Sequence, residues 1–420
     1  MDVLVVGRGG REHAIIWKLT QSRNIGTIYC SPGNAGIGEL ARLVPVKETD
    51  IPGIVAFARE KSLHMVVVAP DDPLAAGMVD ALETAGIRAF GPTKAAACIE
   101  SSKIFAKDLM RRYGIPSAAY SVYEDHAKAL QYLEQAAYPL VIKADGLALG
   151  KGVVIATDKK EAAGAVKAMM QDRIFGTAGE RILFEEFLHG PEVSVLAFTD
   201  GKTLVPMASS QDHKRAGDGD TGPNTGGMGA FSPSPLYTPE IAAYCMENIY
   251  LPTLRAMERE GRPFKGVLYF GLMLTPNGPR VLEYNARFGD PETQAVLPRL
   301  KTDLLQIFDA VIDGRLDQIS IEWEDNAAVC IIAASGGYPG VYATGYAMEG
   351  LKEASKMKDI NLFHAGTQIK DGRYVTAGGR VLGVTATGPD LSEAVKKAYA
   401  AIDRIRFKDM YFRKDIGTRK

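Results

Sequence analysis

A solid apolar run at 3–6 passes through a glycine turn into a helical spacing of apolar residues over 13–19. Short β-rich runs at 28–30, 65–69 and 88–90 then alternate with helical patterns at 54–61 and 78–85. Such alternation predicts a parallel sheet with helices on both faces. The segments that end its strands, GRGGRE, SPGNAG and APDDPL, fall along the carboxyl edge, where open α/β sheets take ligands.

After a helical link at 103–113 the pattern changes. A strand at 139–144, a glycine-rich connection, a strand at 153–156, a helix at 160–170 and a strand at 182–188 predict a small α+β module. Strands follow at 192–198 and 204–208, then a long connection, a helix at 239–260, strands at 266–275 and 280–286, and a helix at 303–312. A strand at 327–334 opens a C-terminal unit that ends in a helix at 391–405. No internal repeat or low-complexity run interrupts this order.

A length of 420 residues exceeds what one core supports and predicts two to four domains. Lys plus Arg number 49 against 50 for Asp plus Glu, so no global field draws the chain to nucleic acid or an anionic membrane; phosphate must be met locally. Cys30, Cys98, Cys245 and Cys330 lie far apart, mostly in apolar runs, and read as buried thiols. A reducing compartment follows, and without a basic leader or a membrane-length apolar span the expected location is cytoplasmic.

Chemistry concentrates in four places. At the opening turn, Gly7, Gly9 and Gly10 approach a dinucleotide fingerprint, but Glu12 stands where its third glycine belongs and no acid ends the second strand. A nicotinamide cofactor is therefore not expected, although N–H groups at such a turn suit an anion. DGLALGKG differs from a Walker loop in spacing, lacks the following Ser or Thr and joins two strands; a hairpin of this kind can close over a triphosphate, with Lys143 and Lys151 neutralising charge.

In VLEYNARFGDPETQ, extended backbone puts Glu283, Asn285 and Arg287 on one face and Leu282 and Tyr284 on the other. Carboxylate and amide oxygens so spaced are hard ligands for Mg²⁺, with a guanidinium beyond them for a phosphoryl group. The stretch 209–229 carries six glycines around Asp212, His213, Lys214 and Arg215, and almost nothing to bury. A compact domain uses so long a connection for binding or as a moving lid. A disordered linker would share its glycine content but seldom mixes both charge signs with a histidine so tightly.

Taken with EEFLHGPEVS and QDHKRAGDGDTGPNTGGMGA, these motifs make the chain similar, over nearly its whole length, to the glycinamide ribonucleotide synthetase (phosphoribosylamine–glycine ligase) family of ATP-grasp enzymes. The resemblance implies a multidomain α/β and α+β fold: a Rossmann-like N-terminal domain at 1–101, an ATP-grasp region at 102–325 with a mobile lid at about 119–190, and a C-terminal α+β domain at 326–420. It implies ATP on Lys103, Lys143 and the hairpin residues Asp145, Gly146, Gly150, Lys151 and Gly152, with adenine against Glu185, Glu186, Phe187 and Leu188 and ribose on Glu192. Mg²⁺ or Mn²⁺ would bind Glu283 and Asn285.

The implied reaction activates glycine as an acyl phosphate and joins it to 5-phosphoribosylamine, in a monomer or weak homodimer. Arg287 would offset charge during transfer, while Asp212, His213, Lys214 and Asp290, with the turn Gly226, Gly227 and Met228, would position glycine and the amine. The sugar phosphate would lie near Gly9, Gly10, Arg11, Glu12, Pro32, Gly33 and Asn34. Four departures from the family pattern stand out: Asp71 replaces a glutamate, Tyr284 a phenylalanine and Pro191 a glutamate, and 267–275 holds no second acidic metal ligand.

Overall fold

A computed structural model describes residues 1–147 and 152–418. The N-terminal sheet is wholly parallel: strand Val3–Gly7 lies at its centre, with Ile28–Pro32 and Arg42–Leu43 on one side and Met65–Val68 and Ala89–Phe90 on the other. Val3 to Val6 are completely buried because helices cover both faces, which is why the run is solidly apolar. Chain order reverses across Val3–Gly7, so a crevice opens above Gly7 and the N-terminus of helix Gly10–Leu19. The Lys103–Arg112 helix then leads into a four-stranded sheet of Tyr120–Tyr123, Ile182–Glu186, Leu140–Ala144 and Val153–Ala156. With helices His126–Tyr132 and Lys159–Val166 it encloses a small core of its own around Ala129, Ile142 and Phe184.

The central sheet is antiparallel, in the order Leu204–Pro206, Glu192–Asp200, Lys265–Thr275 and Gly278–Asn285. Its side against the N-terminal domain is filled by aromatic residues, with Phe90 and Phe308 ring centroids 4.0 Å apart and Phe288 beside them. The register of its last pair slips by one residue: Gly271 faces Glu283 and Leu272 faces Val281, which leaves Leu282 in a bulge. Strict alternation therefore fails at Leu282, which joins Glu283 on the cavity wall while Tyr284 stays in the core.

The expected connection at 209–229 is ordered structure. Gln211–Asp212 and Gly229–Ser232 extend the C-terminal sheet, the latter pairing with Ala327–Ser335, and Arg215–Gly217 pairs with Thr221–Asn224 as a hairpin. Glycine and charge concealed these strands because their stability comes from the C-terminal domain they join. The final helix ends at Ile402, short of the expected 405. Cys30, Cys245 and Cys330 are buried free thiols, whereas Cys98 is half-buried beside Arg262. No helix among the described residues is long and apolar enough to cross a membrane.

His13 fastens the first domain to the last. Its ring packs edge-on to Phe363, and its Nδ1 accepts the His364 N–H at 2.8 Å. Burial holds His13 neutral, lowering it to about 3, and lowers His364 and His213 to about 4. Histidines depressed below their ordinary 6.5 favour the fold above that pH; the contribution is lost as acid protonates the unfolded chain first. The denaturation midpoint should therefore drop between pH 6.5 and about 4, and a flat midpoint there would contradict neutral burial.

Candidate active site

A cavity of about 890 Å³ opens between the four-stranded module, the central sheet, the N-terminal crevice and the C-terminal domain. At one end, helix Lys103–Arg112 supplies two lysines a turn apart. Lys107 Nζ lies 2.9 Å from Glu185 Oε2 and Lys143 Nζ 3.0 Å from Glu185 Oε1, with all three side chains almost fully buried. Burial alone would raise Glu185, but Lys143 and Lys107 together pull it below its ordinary value; desolvation in turn lowers Lys107 to about 8. Two ammoniums on one carboxylate leave an excess positive charge beside Lys103, which suits a polyphosphate. Lys143 also donates to Leu282 O at 3.1 Å, a carbonyl presented by the bulge.

Lys103 Nζ donates to Gly146 O at 2.7 Å and so moors the start of the glycine-rich hairpin. Asp145 is fully engaged as an anchor: it accepts from Ser102 Oγ and Ile104 N at 3.1 Å and pairs with Arg181 at 2.6 Å. Gly150 and Lys151 lie outside the described residues, while Gly146 and Gly152 line the cavity. Glu186, Phe187, Leu188 and Glu192 continue the wall.

Toward the middle, Lys214 Nζ bridges Glu192 at 3.2 Å and Glu283 at 3.3 Å. The Lys214 charge, helped by Lys143 and Lys103 against the effect of burial, holds Glu283 at about 2. A permanently ionised carboxylate and the Asn285 Oδ1 two residues on share the wall. They fit a hard divalent cation that takes its remaining ligands from phosphate and water. No group of three or more His, Cys, Asp or Glu able to hold a metal occurs among the described residues.

Arg287 occupies the far corner. Its Nη2 lies 2.7 Å from Glu100, 3.7 Å from Asp71 and 3.5 Å from Asn285 Oδ1, while its buried Nε has no partner. Desolvation raises Glu100 despite this guanidinium; Asp71 is lowered because Arg287 and Arg11 outweigh its burial. Asp212 contributes a buried Oδ1 with no partner, and burial plus repulsion from Glu292 pushes that carboxyl well above the usual range. Asp290 is held low, Arg380 and Arg11 outweighing its burial.

The C-terminal segment braces this corner. Arg413 has no exposed side-chain surface; it reaches Asp220 at 2.8 Å, Asp415 at 2.7 Å and Arg215 O at 3.0 Å. Tyr411 OH donates to Ala216 O, Lys414 N donates to Asp218, and the Gly219 N–H is donated to Asp415. Hairpin residues Arg215, Asp220 and Asn224 thereby form a fixed part of the wall.

Comparison with known proteins gives the same organisation. Residues 1–100, 101–293 and 328–419 match the N, ATP-grasp (A) and C domains of phosphoribosylglycinamide synthetase. The chain is 49% identical over 418 residues to phosphoribosylamine–glycine ligase of Caldanaerobacter subterraneus, covering 100% of both chains. It is 49% identical to that of Vibrio vulnificus, covering 100% of this chain and 98% of the relative. The crystal structure of the Thermotoga maritima enzyme of that name superposes with a TM-score of 0.87 at 32% identity, over 99% of this chain and 100% of the other. The chain belongs to the phosphoribosylglycinamide synthetase family. Biotin carboxylase of Campylobacter jejuni, solved as a complex with a β-γ-ATP ligand, shares the fold alone, with a TM-score of 0.73 at 14% identity over 99% of this chain and 94% of that one.

Within this phosphoribosylglycinamide synthetase fold, the cavity wall gathers Arg11, Lys103, Lys143, Glu185, Glu192, Asp212, His213, Lys214, Gly226, Glu283, Asn285, Arg287 and Asp290. Other sequence candidates work behind it. The Gly9 N–H, expected to be open to an anion, is donated to Glu12 Oε2 at 2.5 Å, so a carboxylate of the first turn takes the donor just before the helix that starts at Gly10. Glu12 crowds Gly7 as well: at φ +124° a Cβ there would lie 2.5 Å from Glu12 Cγ, so only glycine fits. Asn34 spends its whole amide on backbone, donating to Arg8 O and His364 O and accepting from Gly36 and Ile37. Pro32 and Gly33 shape that turn, Gly33 N donating to Gly7 O. Gly227 packs against Pro291 and Asp212, and Met228 is fully buried.

Sequence reasoning missed Lys107, Glu100, Tyr338 and Arg380. Lys107 was detectable, four residues after Lys103 on the same helix face. The others come from distant segments and carry no local motif.

Proposed function

We propose that the chain ligates glycine to 5-phosphoribosylamine, forming glycinamide ribonucleotide, ADP and phosphate for purine biosynthesis, as a cytoplasmic monomer or weak homodimer. What carries the reading is that one cavity brings the lysine-rich end, the Glu283–Asn285 pair and the Arg287–Asp290–Asp212 corner together, in a chain matching all three family domains.

A glycine carboxylate oxygen attacks the γ-phosphorus of ATP and ADP leaves. The amine nitrogen then attacks the acyl carbon, the carbon–oxygen bond to phosphate breaks, and the amine sheds a proton. Lys103 and Lys143 hold the triphosphate, with adenine against Glu185 to Leu188 and ribose on Glu192. Glu283 and Asn285 hold Mg²⁺ or Mn²⁺, which supplies charge neutralisation for the phosphates. Arg287 offsets the repulsion between carboxylate and phosphate, and water exclusion protects the acyl phosphate.

Asp212, His213, Lys214 and Asp290 position glycine and the amine. Held at about 4, His213 is neutral at physiological pH and adds no charge there. The module at about 119–190 closes as the lid over the nucleotide, and domain 1–101 offers its sheet edge to the sugar phosphate, with Arg11 on the cavity wall. The test is ADP release with glycine, with and without freshly generated phosphoribosylamine: dependence on both is expected. Activation by a different acid would move the chain to another ligase chemistry.

A further inference from the structure

Arg380 opens the strand Arg380–Gly388 of the C-terminal sheet, yet its guanidinium extends out of that domain. One nitrogen, Nη1, donates to Gly226 O at 2.6 Å and to Asp290 O at 2.8 Å, and lies 3.4 Å from both Gly227 O and Asp290 Oδ1. The rest of the guanidinium lies against Gly226, where an added methyl group would come within 3.1 Å of Cζ and 3.2 Å of Nη2. Tyr338 of the same domain accepts the Gly226 N–H at 3.0 Å. Both backbone polar groups of Gly226 are thus held by C-terminal residues, whose own placement is fixed by pairing of Ala334 with Arg380 and by the Ser335 N–H on Gly379 O.

The Gly226 and Asp290 turns come from distant parts of the chain, and both present carbonyl oxygens to the same cationic nitrogen. Oxygens so placed repel one another unless a donor stands between them. Resting on the ligase reading above, we infer that Arg380 is a positioning residue of the ligation step, setting the GGMG turn in register with Asp290 so that the amine reaches the acyl carbon before water does. It makes no hydrogen bond or ion pair with Lys103, Lys143, Glu185, Glu283 or Asn285, so its loss falls on the groups that place glycine and the amine and not on nucleotide binding. A misplaced amine leaves water to attack the same carbon, returning glycine and phosphate while ADP has already been made.

The experiment counts ADP and glycinamide ribonucleotide separately in the full-length protein and in R380M, R380K and G226A. The expected wild-type ratio is one ADP per product. Displacement of a reacting group by about 1 Å costs on the order of 100-fold, so R380M should lose about that much product turnover, with its ATP KM within about threefold and its ADP-to-product ratio above one. R380K should recover part of the coupling. G226A keeps Arg380 but presses a methyl group onto it, and should uncouple in the same direction; it carries the test if thermal unfolding shows R380M to be misfolded. A ratio of one in G226A and in any folded R380M, with kinetic constants unchanged or reduced together, overturns the proposal. Wild-type protein without ADP release dependent on glycine and amine would instead overturn the ligase reading itself.

Discussion

Replacing Arg287 with Met should lower turnover by about 10²–10³-fold, the usual loss when a preorganised group facing transition-state charge is removed, while ATP affinity changes only a few-fold. The proposed function gives the triphosphate to Lys103 and Lys143, whereas Arg287 lies with Glu100, Asp71 and Asn285. Breaking a buried ion pair from one side costs about 3–5 kcal/mol of stability. Here the cost should fall toward the lower end, because desolvation already raises Glu100 and a proton can replace the lost guanidinium. Adding E100Q to R287M separates the two effects. The double variant should regain denaturation stability and remain as slow as R287M, as judged by urea titration and steady-state kinetics. Equal losses of turnover and ATP binding in R287M would contradict a role in transfer.

The second large effect is expected at Glu283. E283Q preserves shape and removes the charge, so half-saturation by Mg²⁺ should move to much higher concentration and turnover should fall about 100-fold or more, in keeping with the several kcal/mol a bound cation supplies. Lys214 holds this carboxyl at about 2 and so keeps it charged across the ordinary assay range. Any acid limb in the wild-type rate profile must then come from another group, and the limb should keep its position in E283D. Mn²⁺ titration followed by electron spin resonance reads the site directly. Unchanged metal half-saturation in E283Q would remove Glu283 from the metal site.

Much of the architecture was legible because local pattern and global burial agreed. The apolar run at Val3–Gly7 is solid because its strand is covered on both faces, and the alternation in Gly278–Asn285 reports a sheet with one face on the core and the other on the cavity. Disagreement marks what was hidden. Gln211–Asp212 and Gly229–Ser232 have weak strand composition and exist as strands because the C-terminal sheet supplies their partners. Leu282 broke the alternation through a bulge that no residue type announces. Glu12 read as a flawed fingerprint and as a neighbour of the sugar phosphate, although its carboxylate is turned back onto the Gly9 N–H at the start of its own helix.

The candidate site divides along the same line. Residues carried by contiguous motifs, such as Lys143, Glu192, Asp212, Lys214, Glu283, Asn285 and Arg287, meet on one wall. Asn34 and Asp145, equally prominent in their motifs, use their polar atoms to hold turns in place. The contact between Arg380 and Gly226 spans 154 positions, beyond the reach of any spacing rule. Chemical residue type was readable, whereas the division between ligand contact and scaffold was not, since both tasks favour buried, fully bonded polar groups.

The brace from Tyr411, Arg413, Lys414 and Asp415 onto the hairpin Arg215–Asn224 ties one stretch of the cavity wall to the stability of the C-terminal segment. Loosening either segment should therefore loosen the other, because each supplies the partners that satisfy the other's buried polar groups.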